Sequence, residues 1–100
     1  MAEEDLDTTS REKTWYEMKG KILVPLGIHA RVAMDLVNLA KEYDGETKMV
    51  YKGREYNLKS IMNMMTAAAL AYTSVVFKIE EREGSEELAN GLIRIISEQD

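Results

Sequence analysis

Residues 15–45 read WYEMKGKILVPLGIHARVAMDLVNLAKEYDG, and their periodicity changes halfway. Up to Val24, the residues Tyr16, Met18, Gly20, Ile22 and Val24 alternate with Glu17, Lys19, Lys21 and Leu23. A period of two belongs to a half-buried strand. Pro25 and Gly27 stop it: proline lacks a ladder donor, and glycine admits turn geometry. From Ala30 the spacing is helical. Ala33, Leu36, Val37, Ala40 and Tyr43 fall at i, i+3, i+4, i+7 and i+10, forming one apolar stripe. The pattern predicts a helix over 30–43, ended by Asp44-Gly45, where glycine suits a left-handed cap.

The rest of the chain continues the same alternation of elements. Residues 46–51 and 54–57 read as short strands joined by Lys52-Gly53, a tight hairpin turn. Residues 59–71, KSIMNMMTAAALA, are rich in helix formers, with Ser60 placed to cap the start. Residues 74–81 alternate again, with Val75, Phe77 and Ile79 on one face. Ser85, Glu86 and Glu87 open a last helix, since acids suit its positive end. Leu88, Leu92, Ile95 and Ile96 form its buried stripe. The order is β-α-β-β-α-β-α. Amphipathic helices beside four short strands imply an α+β, open-faced two-layer sandwich. We expect a four-stranded, mainly antiparallel sheet with helices on one face and solvent on the other. Residues 1–13 carry five acids against two bases and read as a disordered acidic tail before a domain over 14–100.

Composition removes several kinds of chemistry. The net charge of −5 lacks the basic stripe that nucleic-acid binding calls for. No apolar run approaches the roughly 18 residues of a membrane span. The opening MAEEDLDTTSREK is acidic where a secretory signal is basic and then apolar, so a cytoplasmic protein is expected. There is no cysteine and only one histidine, which leaves no ligand set for zinc. No Walker loop, G-x-G-x-x-G or G-x-S-x-G occurs, and no cofactor or metal is expected.

The lone histidine, His29, falls at the strand-to-helix turn. The amides that follow, of Ala30, Arg31 and Val32, have no acceptor within a helix starting there. They point outward at the positive end of the helix dipole, an arrangement that binds phosphate. Arg31 adds a planar guanidinium that matches phosphate oxygens. An imidazole nitrogen is a nucleophile, and histidine is a known covalent carrier. These residues together read as a phosphorylatable His29 whose phosphate rests on the amides of Ala30 and Arg31 and on the Arg31 side chain. The competing readings are an incidental surface histidine and a general base.

GIHARVAM at 27–34, with KSIMNMM at 59–65, resembles HPr, the histidine-containing phosphocarrier of the bacterial phosphoenolpyruvate:sugar phosphotransferase system. The resemblance covers roughly residues 15–98. It implies that His29 takes a phosphoryl group on its Nδ1 nitrogen from enzyme I and passes it to sugar-permease A domains. Such a protein is a stoichiometric monomeric relay, not an enzyme. Arg31 matches the family arginine that pairs with the phosphate. Ser60 matches the serine phosphorylated by a dedicated kinase in many bacteria. Ile61, Met62 and Met65 match the family's apolar docking patch, which agrees with the adaptability of methionine at shared surfaces. The chain departs from the family at Val32, where proline is usual, and at Asn38, where many members carry a basic residue. The segment AAALAYTS is also off the family length. These departures leave a second expectation: a regulatory or nitrogen-branch paralogue that acts through Ser60 and the methionine patch.

Overall fold

The structure is a computed structural model that describes residues 13–98. Apart from Lys13, the tail expected over residues 1–13 lies outside the described residues. The elements are β1 (Trp15–Lys21), α1 (Ala30–Lys41), β2 (Thr47–Tyr51), β3 (Arg54–Asn57), α2 (Ile61–Ala67), β4 (Ser74–Glu80) and α3 (Ser85–Ser97). The strands form one sheet in the order β1-β4-β2-β3, and every pairing is antiparallel. The expected element order and open-faced sheet are both present. Met49, Tyr51, Val75, Phe77 and Ile79 point into the core from the sheet. They meet Val32, Ala33, Leu36, Val37 and Ala40 of α1 and Leu88, Ala89, Leu92 and Ile96 of α3. The apolar stripes read from the sequence supply most of these buried faces; Val32 and Ala89 add to them, and Tyr43 and Ile95 are only partly buried. Lys52 and Gly53 both adopt positive φ, at 52° and 80°. That is what a two-residue hairpin turn between right-twisted strands demands.

Three of the boundaries that differ from the sequence reading have a visible physical cause. β1 ends at Lys21 and does not run to Val24. The amides of Leu23 and Val24 turn instead to the carbonyl of Ile96, at 2.7 and 3.1 Å, tying the chain to the end of α3. α1 stops at Lys41, and Tyr43 lies beyond it, its hydroxyl donating to the Glu80 carbonyl at 2.7 Å. The third difference is larger. α2 ends at Ala67, four residues short of the expected Ala71, because Ala68 takes a left-handed conformation (φ 48°). The next residues are engaged elsewhere: the Ala69 carbonyl accepts from the Ile28 amide at 2.9 Å, and the Leu70 amide donates to the Tyr51 hydroxyl at 3.3 Å. Those tertiary bonds override the helix propensity of the alanine run.

The open face of the sheet is a lattice of charges. Glu55 accepts from Lys48 and Lys78 at 3.0 and 3.1 Å. Both ammonium groups also lie over the Trp15 ring, 5.0 and 5.2 Å from its centroid. The lysine contacts hold the Glu55 carboxyl below its ordinary value of 4.5. The bond from Lys13 does the same for Glu46, and the Glu46 amide does so for Glu80. A carboxyl whose pKa is lowered on folding stabilises the fold above its unfolded pKa, and that contribution fades as pH falls through the folded value. Stability to denaturant should therefore be level through neutral pH and decline below about pH 4.5. Glu55→Gln should flatten part of that decline, and an unchanged acid limb in this variant would contradict the assignment.

Candidate functional site

His29 is the N-cap of α1, with extended backbone (φ −100°, ψ −175°). Its carbonyl accepts the first helical bond, from Ala33 at 2.8 Å, and its amide donates to the Gly27 carbonyl at 3.0 Å. The imidazole makes no capping hydrogen bond and is only half-buried. The backbone is therefore fixed while the ring is left available. The helix that follows has no acid in its first turn. Its first amides, those of Ala30, Arg31 and Val32, have no acceptor within the helix, and they carry its partial positive charge.

The loop before His29 explains that fixation. Val24 to Gly27 form a turn closed by the Gly27 amide on the Val24 carbonyl at 3.0 Å. Pro25 presets the turn's second position. Gly27 has φ +73° and lies flat against the backbone after α2. A Cβ placed there would come within 2.5 Å of the Ala69 oxygen and 3.0 Å of the Ala71 nitrogen. The adjacent bond from Ile28 to Ala69 completes a two-segment clamp. Ala69 thus helps set the height of His29, although no sequence signal near Ala69 marks it.

Arg31 lies in the first turn of α1, with its side chain 64% exposed. The guanidinium reaches forward to the Asp35 carboxylate at 3.5 Å, an i,i+4 pair. So the structure places Arg31 beside the histidine in sequence and pairs it with Asp35. Exposed pairs of this kind contribute about 0–1 kcal/mol, so a phosphate at His29 can draw the guanidinium away. We expect Arg31→Ala to shorten the lifetime or slow the formation of a phosphate on His29 by about tenfold, the equivalent of about 1.4 kcal/mol. Asp35→Asn should act in the opposite direction. A phosphate of unchanged lifetime and rate of formation in Arg31→Ala would remove the arginine from the site. Val32, at the position where the family usually has proline, is buried in the core. Asn38 is exposed on α1.

Ser60 caps α2: its Oγ accepts from the Asn63 amide and from Asn63 Nδ2, both at 3.1 Å. Immediately after it, Ile61 (43%), Met62 (74%) and Met65 (44%) are exposed, while Met64 is wholly in the core. The three methionines of the sequence stretch are thereby sorted, since Met64 alone turns inward among 62, 64 and 65. Further exposed apolar residues were not singled out from sequence: Leu26, Met34, Leu70 and Tyr72. Leu26 precedes Gly27, and Leu70 backs onto it, so the loop that holds His29 has an apolar border of its own. A leucine inside the turn PLG was the one available signal. Among the described residues, no cluster of three or more His, Asp or Glu is placed to hold a metal ion, and no helix is long and apolar enough to cross a membrane.

A family model described as the PTS HPr component phosphorylation site matches residues 16–98. HPr-C-His from Thermoanaerobacter tengcongensis is similar at 26% identity, over 81% of this chain and 90% of that one, with a TM-score of 0.74. The phosphocarrier protein HPr of Bacillus anthracis superposes with a TM-score of 0.76 at 22% identity, over 83% and 98% of the two chains. The Bacillus subtilis catabolite repression containing protein Crh, described as a dimer with a swapping domain, matches at 26% identity and TM-score 0.61, over 79% and 90%.

Proposed function

The chain belongs to the HPr family, and on that premise we propose that His29 accepts a phosphoryl group from phosphorylated enzyme I and passes it to sugar-permease A domains. The observation that carries this reading is the state of His29: a fixed N-cap whose ring makes no hydrogen bond among the described residues, followed by amides without helical acceptors. A ring nitrogen attacks phosphorus, the new P–N bond forms, and the bond to the donor breaks. Transfer of this kind needs in-line approach and charge stabilisation more than covalent machinery. The amides of Ala30 and Arg31 and the Arg31 guanidinium supply the second, and the partner supplies the first. Ile61, Met62 and Met65 form the apolar contact on which partners seat. No cofactor enters the step, and the protein acts as a cytoplasmic stoichiometric carrier. The test is intact mass after mixing with enzyme I and phosphoenolpyruvate. The account expects one added phosphate that acid removes.

A second reading is supported by the likeness to Crh and by the position of Ser60 beside Met62. In it, a kinase phosphorylates Ser60 and the protein acts as a regulator. An acid-stable phosphate on Ser60, with none on His29, would favour that reading. The two also combine, because Ser60 is both cap and neighbour of the docking surface. Ser60→Asp keeps a good N-cap while adding charge beside Ile61 and Met62. We expect it to fold normally and to slow phosphorylation of His29 by enzyme I by about tenfold or more, through desolvation of the new charge on docking. An unchanged rate would exclude Ser60 as a control point.

A further inference from the structure

The outer edge of β1 is unpaired among the described residues, since β1 ends the sheet and hydrogen-bonds only to β4. The ladder shows which groups face outward. The Glu81 amide donates to the Thr14 carbonyl and the Ile22 amide to the Thr73 carbonyl. In an antiparallel ladder, alternate residues direct both backbone groups to the same neighbour. Even-numbered residues of β1 therefore face β4. Trp15, Glu17, Lys19 and Lys21 direct their N–H and C=O outward. This edge is seven residues long and has no proline or bulge to blunt it. β3, at the other edge, has only four residues.

Charges usually protect such an edge, but here their order permits pairing with itself. A second copy can approach antiparallel about a two-fold axis, so the same residues serve both sides. Centring the pair on Glu17 sets two carboxylates face to face. Centring it on Lys19 does the same for two ammonium groups. Centring it on Met18 sets Glu17 of each copy opposite Lys19 of the other, and Trp15 opposite Lys21. That register also makes the facing residues the ones whose backbone groups point outward. Opposite charges directly across a ladder stabilise it, and like charges destabilise it. Among the described residues, neither Glu17 nor Lys19 has an ion-pair partner in its own chain.

We propose that the outer edge of β1 is a self-association surface, where two copies pair antiparallel about Met18 through reciprocal Glu17–Lys19 contacts. The occupant is a second copy of this chain, chosen by charge complementarity. The pairing joins two intact four-stranded sheets and exchanges no element. It gives a concentration-dependent dimer in place of the strict monomer expected from sequence, and it does not depend on phosphoryl transfer.

Sedimentation equilibrium of the full chain, from micromolar to millimolar concentration, tests it. The wild type should associate reversibly. Glu17→Lys and Lys19→Glu should each weaken self-association by about tenfold or more, because each turns both reciprocal contacts repulsive. An equimolar mixture of the two variants should associate again, since every contact in the mixed pair is attractive. A wild type that stays monomeric throughout would overturn the proposal. So would association that both reversals leave unchanged, or a mixture no more associated than its components. The mixture also guards against misfolding, because a damaged variant would not be rescued by a damaged partner.

Discussion

Replacing His29 by alanine should reduce phosphate incorporation from enzyme I to background and leave the fold intact. The two halves of this result have separate causes. The imidazole accepts no capping bond and donates none. Its loss therefore orphans no buried group, and stability should change by no more than about 0.5 kcal/mol. The backbone bonds of residue 29, to Gly27 and from Ala33, survive the substitution. What disappears is the only histidine of the chain. No second imidazole is available to take over, and there is no cysteine. Thermal denaturation alongside phosphate uptake separates the two effects. Residual acid-labile phosphate in His29→Ala would show that the acceptor lies elsewhere.

The second large effect is expected at Gly27, where nothing reacts. Gly27→Ala meets two penalties at once. Its φ of +73° lies in the left-handed region, and its Cβ would stand 2.5 Å from the Ala69 oxygen, a backbone atom that cannot swing aside. We expect a loss of about 2–3 kcal/mol. In a domain of this size that lowers the melting temperature by roughly 10–20 °C. Relief of the clash must move the loop away from residues 69–71, breaking the Ile28–Ala69 bond that sets His29. Phosphorylation should therefore slow as well, by about tenfold even at temperatures where the variant is folded. The contrast with His29→Ala is diagnostic: one variant loses the reaction and keeps the fold, and the other impairs both. A Gly27→Ala protein as stable as the wild type would mean that the loop does not pack as described.

Much of this was legible in the residues. The change of period between Val24 and Ala30 marks the strand-to-helix turn, and apolar spacing found most of the buried faces of α1 and α3, missing Val32 and Ala89 and including Tyr43 and Ile95, which are only partly buried. Lys52-Gly53 and Ser60 announced a turn and a cap through their local chemistry, and both do that work. The misreadings share a cause. Leu23 and Val24 continue a strand pattern but bond to α3, and the alanines after Ala67 favour helix but bond to Ile28 and Tyr51. Local propensity is silent about partners that arrive from across the fold. At the site, the position of His29 followed from its neighbours in sequence. The Arg31–Asp35 pair obeys i,i+4 spacing and was readable in principle. The support from Ala69 was not, because it joins segments some 40 residues apart through glycine and backbone atoms, which leave no side-chain pattern.

The central claim is that His29 is the phosphoryl acceptor, and phosphorus–proton correlation NMR tests it most directly. The full chain would be held in the phosphorylated state by enzyme I and excess phosphoenolpyruvate. The account predicts a phosphorus resonance coupled to the ring protons of His29, absent before the phosphoryl donor is added. A phosphorus signal coupled only to the β-protons of Ser60 would contradict it. So would no protein-bound phosphorus at all while a control carrier is phosphorylated in the same tube.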